Sequence, residues 1–439
     1  MNQAAAFALH EVPEFTVRDQ FQVGSETIMH PRGILDIGWS DLIFAWRSAL
    51  GPGNPDKLER EIAEYWESGQ NYRAAGVLAT LSVRTGFDAL LQAVDLPPGS
   101  EILMSAITIQ DMARIAEAHE LIPVPVDMDM ETLSISMESF ETVVSPKSRM
   151  IVVAHIFGSR MPLDDLIAQA RIHNLLVVED CAQAYSRRSD RGSTGVDVSM
   201  FSFGPIKTNT ALAGGILEFA DPKLCELTSW VLGNYPRQDY RQFRRRVMKY
   251  LGIKVLTLPF VFGVFVRVCR LLGASYDSVI GGSLRSFPGT GLLTRIRRRP
   301  SAPLLALLRR RITTYDDSRT EARVALADRI VKSMPGVRRP GEKANAHSHW
   351  VFPIYADEPE ALKKRLQLVG FDATQGASGM NAIEVSTEGS DLSPRLARSA
   401  MDRILYLPVS AHLGEQDIAR LAEICNKPAR ADAYPSALL

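Results

Sequence analysis

Apolar residues in this chain gather into short unbroken runs of strand length, separated by stretches with helical spacing. The runs at 77–83, 101–106, 122–126, 149–156, 175–178, 196–203 and 215–219 lack the in–out alternation of a strand with one wet face. They read as strands covered on both sides. Helical patterns between them make repeated βα units, which predicts an α/β large domain built on a mostly parallel sheet with right-handed crossovers.

The pattern changes at both ends and once in the middle. Residues 1–60 carry turn chemistry, His30-Pro31-Arg32-Gly33 and Gly51-Pro52-Gly53-Asn54-Pro55, before a helical stretch at 56–66, and read as an N-terminal arm. Residues 61–233 hold the strands and form the large domain. In 234–315 an apolar stretch, 255–266, lies between Lys254 and Arg267. Pro259 is placed to start a helix and Gly273 to stop it, with apolar side chains almost all round. A shorter basic amphipathic stretch follows at 304–312. From 316 to 439 a long amphipathic helix (316–337), two strand-like runs (349–354 and 403–407) and helices at 359–369 and 414–425 predict a small C-terminal α+β domain.

Composition narrows the class. With 439 residues, 46% of them hydrophobic, the chain can bury one large core and a smaller one. Cys181, Cys225, Cys269 and Cys425 are too far apart for a C-x-x-C pair, which argues against a disulfide framework and against a zinc or iron–sulfur centre, so no metal is expected. Glu11 and Glu14 precede any long apolar run, unlike a signal peptide. No uncharged stretch reaches the ~20 residues of a spanning helix. A cytoplasmic location is the expectation.

The 50 basic and 50 acidic side chains balance overall, but 237–311 contains 17 Lys and Arg against two Asp. That segment carries +15 and the remainder −15, which points to a face that meets something anionic. Three readings stand: an apolar, basic segment lying on an anionic membrane surface with Phe260, Phe262 and Phe265 inserted, at the inner face of the membrane; a helix packed on a dimer partner or the chain's own core; or a nucleic-acid contact. No recognised fold or aromatic platform supports the last, so no nucleic acid is expected.

Candidate chemistry collects between 175 and 219. The run at 175–178 leads to Glu179 and Asp180, and the run at 196–203 stops at Gly204-Pro205, so that Lys207 lies in a loop beyond a strand end, where open α/β sheets place ligands. A lysine kept dry there has its ammonium form disfavoured and becomes a nucleophilic amine able to condense with a carbonyl. Asp180 is placed to hold a cationic ring nitrogen. After the first strand, Thr85-Gly86-Phe87 reads as the opening of a helix, a phosphate site made of free N–H groups and helix dipole. His155 closes another strand.

Glu179-Asp180-Cys181-Ala182-Gln183-Ala184, Phe201-Ser202-Phe203-Gly204-Pro205-Ile206-Lys207 and Gly214-Gly215 resemble, in order and spacing, the ED-x-A-Q-A, F-S-F-x-P-x-K and G-G signatures of the DegT/DnrJ/EryC1/StrS sugar aminotransferases, pyridoxal-phosphate enzymes of fold type I. The C-terminal run from Ile404 resembles that family's closing L-x-L-P segment. The resemblance implies a mixed, mostly parallel seven-stranded sheet, the cofactor pyridoxal 5'-phosphate, a homodimer, and amino transfer from glutamate to a nucleotide-linked keto sugar. It implies that Lys207 holds the cofactor and moves the proton, Asp180 keeps the ring nitrogen protonated, and Gln183 lies along the ring. Ser202, Thr85, Gly86 and Phe87 would serve the phosphate, and His155 would stand behind Asp180. A histidine in place of Lys207 would mark the dehydratase branch.

Two departures qualify this. The family's ring-stacking aromatic falls on Ile109, or on Gln110 if the register slips, and its N-x-R-M segment after the third strand is missing where the basic apolar segment begins. The alternatives are therefore an aminotransferase acting at a membrane surface on a lipid-linked or hydrophobic carbonyl, or a non-catalytic regulator that keeps the fold.

Overall fold

In a computed structural model, the structure describes residues 29–68, 74–272, 291–376, 379–383 and 393–427. Residues 1–28 of the expected arm and the expected stop at Gly273 lie outside them.

The large domain is built on strands β1 (Gly76–Thr80), β2 (Glu101–Ser105), β4 (Ile122–Val126), β7 (Ser148–Ala154), β8 (Leu176–Asp180), β9 (Val198–Ser202) and β10 (Gly215–Phe219), with β3 (Ile107–Ile109) and the short pair β5 (Met128–Asp129) and β6 (Ser134–Ile135) between them. They assemble in the order β1-β10-β9-β8-β7-β2-β4. β9, β8, β7, β2 and β4 run parallel, and β10 is antiparallel to both its neighbours, giving the mixed, mostly parallel seven-stranded sheet that the sequence implies.

Strand periodicity sorts the core. Ile102, Met104, Met150, Val152, Val178, Val198, Met200 and Leu217 face one way, onto α3 (Val83–Val94) and α4 (Gln110–Ala118). Leu103, Ile151, Val153 and Val177 face the other way, against α5 (Met137–Val143) and α6 (Asp164–Ile172). At the β1–β10–β9 end the second face is covered differently. There Val77, Phe201, Phe203 and Ile216 pack with Leu42 and Ala45 of α1 (Trp39–Ser48), with Ile62 and Trp66 of α2 (Pro55–Glu67), and with residues from the supposed insertion.

That insertion follows α7 (Pro222–Gly233) and contains α8 (Tyr240–Leu256), α9 (Pro259–Leu271), α10 (Leu292–Ile296) and α11 (Ala302–Thr314). Phe243, Val247 and Tyr250 of α8 and Leu304, Leu305, Leu307, Leu308 and Ile312 of α11 belong to the same core as α1 and α2. The two segments therefore form one helical layer on the sheet, and the division at 60 falls inside α2. Each helix is started by its sequence: Asn54 accepts from Lys57 N and Pro55 occupies the first turn of α2, while Asp239 accepts from Arg241 N at α8.

Charge pairs tie this layer together. Arg237 and Arg299 meet Asp56 and Glu59, Arg309 meets Glu61, and Arg310 and Arg311 both reach the buried Asp41. Much of the basic excess at 237–311 is thus spent on the arm. At the other face Arg297 pairs with the buried Asp88 of α3, which also binds His119 and Tyr235.

The C-terminal part builds its own core from α12 (Ser318–Ser333), β11 (Phe352–Tyr355), α13 (Pro359–Leu368), β13 (Ile404–Leu407) and α15 (Glu415–Asn426), with β11 antiparallel to β13. It adds β12 (Met380–Ala382), which pairs with β3 of the large domain, and α14 (Arg395–Arg403). The strand expected at 349–354 begins only at Phe352. His349 adopts a left-handed φ of 48°, and Ser348 donates through its N–H to Gly158 O, so this stretch turns against the large domain.

Candidate active site

Asp180 ends β8 and Ser202 ends β9. The chain then turns, with Lys207 N donating to Gly204 O and Gly214, at φ +103°, returning it into β10. Lys207 is thereby lodged among the strand ends. Burial lowers its ammonium to about 8 against the pull of Asp180, with Arg84 adding to the lowering. Burial likewise raises the Asp180 carboxyl, opposed by the Ala182 N–H at 2.9 Å and by the charge of Lys207. Lys207 Nζ stands 4.1 Å from the centroid of the Trp350 ring, and Trp350 Nε1 donates to Ile206 O. The close approach of residues 348–350 needs Gly158, where a Cβ would come within 2.6 Å of Trp350 N.

Gln183 is buried, its Oε1 accepting from Phe157 N and its Nε2 2.9 Å from Met380 Sδ; it joins β8 to the β12 segment. Ser202 Oγ accepts from Gly204 N.

His155 lies beside Asp180. Its backbone N–H donates to Asp180 O, but its ring serves Glu179: Nδ1 accepts from Met161 N, so Nε2 carries the proton that it gives to Glu179 Oε1 at 2.8 Å. Ser193, Ser199 and Arg160 complete the surroundings of Glu179, holding its carboxylate well below the usual range despite full burial. His155 therefore engages Glu179 directly and also lies close enough to Asp180 to act on its carboxyl. The Sγ of Cys181 comes within 4.8 Å of these His155 and Glu179 atoms, but both ring nitrogens are already engaged.

The helix opening lies elsewhere than expected. α3 starts at Val83, and Ser82 is its cap, accepting from Thr85 N at 3.2 Å. Thr85 is inside the first turn, fully buried, with its hydroxyl given to Ile296 O of α10. Gly86 is demanded by packing, since a Cβ there would meet Leu217 Cδ1 at 2.3 Å, and Phe87 belongs to the core. The first turn is Ser82-Val83-Arg84, with Val83 buried and Ser82 and Arg84 half-buried. Arg84 exerts charge on both Lys207 and Asp180 and pairs with Asp111 at 2.7 Å. Arg84 and Trp350, which act on or touch Lys207, and the cap Ser82 are candidate site residues that the sequence reading did not pick out. Ile109, at the stacking position, is half-buried in β3 opposite Met380.

Residues 45–257 match the family model of the DegT/DnrJ/EryC1/StrS aminotransferases. Over these residues the chain is similar to that family. Among curated DegT/DnrJ/EryC1/StrS-like relatives, GDP-perosamine synthase of Caulobacter vibrioides is 30% identical over 185 residues, 41% of this chain and 47% of that protein; the chain spans about half the length of the curated relatives it matches. Two solved structures share the fold. The aminotransferase TlmJ from Streptoalloteichus hindustanus has a TM-score of 0.64 at 20% identity, with 91% of this chain and 98% of that one covered. The putative sugar aminotransferase Spr1654 from Streptococcus pneumoniae, in its PLP form, has a TM-score of 0.61 at 14% identity, with coverage of 91% and 98%.

The donor set suits pyridoxal phosphate. A half-buried amine of lowered basicity suits its aldehyde, a buried carboxylate suits its ring nitrogen, and a capped helix N-terminus with a cation in its first turn suits its phosphate.

Proposed function

We propose that this protein is a pyridoxal-phosphate-dependent aminotransferase that moves an amino group, from glutamate as donor, to a keto sugar carried on a nucleotide. The observation that carries the reading is Lys207, half-buried over the Trp350 ring and within reach of the charge of the buried Asp180, with its amine lowered to about 8. When bound, pyridoxal phosphate supplies a carbonyl that takes up amines and a ring that accepts the electrons of a carbanion. Asp180 holds the ring nitrogen as a cation, its own burial offset once that cation is there. Ser82 and Arg84 at the start of α3, together with Ser202 at the end of β9, would fix the phosphate end. Gln183 holds Phe157 and Met380 together beside the strand ends. Lys207 would anchor the cofactor and, as a neutral amine once released from it, would take the proton from the carbon bearing the donor's amino group in one half of the reaction and deliver a proton to the acceptor carbon in the other. The name of the Caulobacter relative, GDP-perosamine synthase, supports the nucleotide-linked sugar, and a homodimer is part of the reading.

A second acceptor class, a lipid-linked or hydrophobic carbonyl, is favoured by α8 and α9 standing in the part of the chain where the N-x-R-M segment was expected.

Borohydride reduction of the cofactor-loaded protein, followed by peptide mass spectrometry, should place the pyridoxyl group on Lys207, and Lys207→Ala should lose both the adduct and the visible absorption band. Glutamate should shift that band, and nucleotide-linked keto sugars should restore it. An adduct elsewhere, or a band that ignores glutamate, would overturn the assignment.

A further inference from the structure

The surface of α1, α8 and α9 is unlike the rest of the molecule. α9 is apolar on two sides. Phe262, Val266 and Cys269 are turned inward with Met29, while Phe260, Val264, Val268 and Leu271 lie exposed along the opposite side. Leu258 and Val255 extend that row to the bend between α8 and α9, which meet at 89°. Across the bend α1 presents Trp39, Ile43, Trp46 and Leu50, at spacings of four, three and four, all at least 40% exposed. Trp46 and Leu50 line a cleft of about 380 Å³ with Met248, Arg244 and Arg245 of α8.

The charge on this face has one sign. From Tyr240 to Leu272 there are eight Lys and Arg and no Asp or Glu. The single acid of α1, Asp41, is buried and committed to Arg310 and Arg311. Arg241, Arg245 and Arg267 are exposed. No single helix among the described residues is long and apolar enough to cross a membrane.

We propose that α1, α8 and α9 form a docking face for an anionic phospholipid bilayer, on which the aromatic and aliphatic side chains enter the boundary between headgroups and acyl chains while the arginines meet lipid phosphates. The charge selects this occupant. A second copy of the chain docked by the same face would set two cationic surfaces against each other, α8, α9 and the exposed side of α1 carrying no carboxylate among the described residues, whereas an anionic lipid surface complements both the apolar rows and the cations. The Arg244–Arg245 cleft, apolar on its other walls, matches one phosphate headgroup with the start of its acyl chain. The anchoring residues differ from the three phenylalanines singled out in the sequence, because Phe262 is buried and Phe265 half-buried against it. This surface stands apart from Lys207 and Asp180, so it holds or fails independently of the amino-transfer reading.

The full-length, cofactor-loaded protein should pellet with vesicles of mixed phosphatidylglycerol and phosphatidylcholine, remain in solution with phosphatidylcholine alone, and be released by high salt. Trp46→Ser/Phe260→Ser/Leu271→Ser changes only exposed side chains and should abolish pelleting while leaving the absorption spectrum intact. Arg245→Glu/Arg267→Glu should lower partitioning at least about tenfold, since one cation at an anionic surface is worth about fivefold, and it reads the same face if the first variant does not fold. Wild-type protein that stays in the supernatant with anionic vesicles, or variants that pellet as it does, would overturn the proposal. So would a lipid-free dimer that these substitutions split, which would assign the face to a second copy.

Discussion

Lys207 and Asp180 show how burial makes reactivity at a single residue. An ordinary lysine stays protonated to about 10.4, whereas Lys207 loses its proton at about 8 because the folded chain gives the ammonium little water. In the cofactor-free protein the unfolded chain therefore holds more protons than the folded one between about pH 8 and 10.5, and stability rises across that window. Lys207→Met should be more stable than wild type below pH 8, by up to about 3 kcal/mol, with the gap closing as pH rises towards 10.5; denaturant melts at several pH values measure this. Lys207, Asp180 and Gln183 were legible because they sit in a spaced signature. Arg84 and Trp350 were not. Thr85-Gly86 imitates a phosphate turn three residues after the real cap, and Gly86 exists for a packing reason, the side chain of Leu217, that only the fold discloses. Trp350 arrives from a distant segment, and no local pattern announces it.

At the scale of the element, α3 joins two tasks. Its first turn faces the site and its body carries Asp88. Ser82→Ala removes the cap accepting from Thr85 N and should cost about 1 kcal/mol together with cofactor affinity. Thr85→Val should spare cofactor affinity while loosening α10, its hydroxyl's partner; titration of apo-protein with pyridoxal phosphate separates the two. Asp88, fully buried, accepts from Arg297, His119 and Tyr235. Asp88→Asn should cost about 3 kcal/mol, as breaking a buried pair does, and should expose the 291–299 segment to limited proteolysis before the remainder of the chain. Strand positions were readable to within a few residues because doubly covered strands leave unbroken apolar runs. α8 was not read as a helix at all, since its arginines interrupt the apolar spacing and its inward positions, Phe243, Val247 and Tyr250, are few.

On the scale of the whole molecule, the excess charge in 237–311 misled the reading of that segment as a separate insertion. Five of its arginines, Arg237, Arg299, Arg309, Arg310 and Arg311, look inward to acids of α1 and α2, and the sequence cannot say which opposite charges will meet across such separations. Asp41 illustrates the coupling: Arg310 and Arg311 hold its carboxyl below the usual range although burial opposes them. A lowered carboxyl contributes stability that is present above its unfolded value of about 4 and lost as pH falls through the folded one. Asp41→Asn should therefore destabilise the protein at neutral pH by about 3 kcal/mol, and its melting temperature should converge with that of wild type as the medium is acidified below about pH 4.

The shared core of α1, α2 and α11 also sets an order of events during synthesis. Leu42, Ala45, Ile62 and Trp66 leave the ribosome early, but the side chains that cover them, Leu304 to Ile312, come only after the whole sheet has been made. Until then the amino-terminal helices meet the sheet and α8 but leave the side taken by α11 uncovered, so a nascent chain stopped near residue 300 should be a client for chaperones, and closure of this layer belongs among the last and slowest steps of folding.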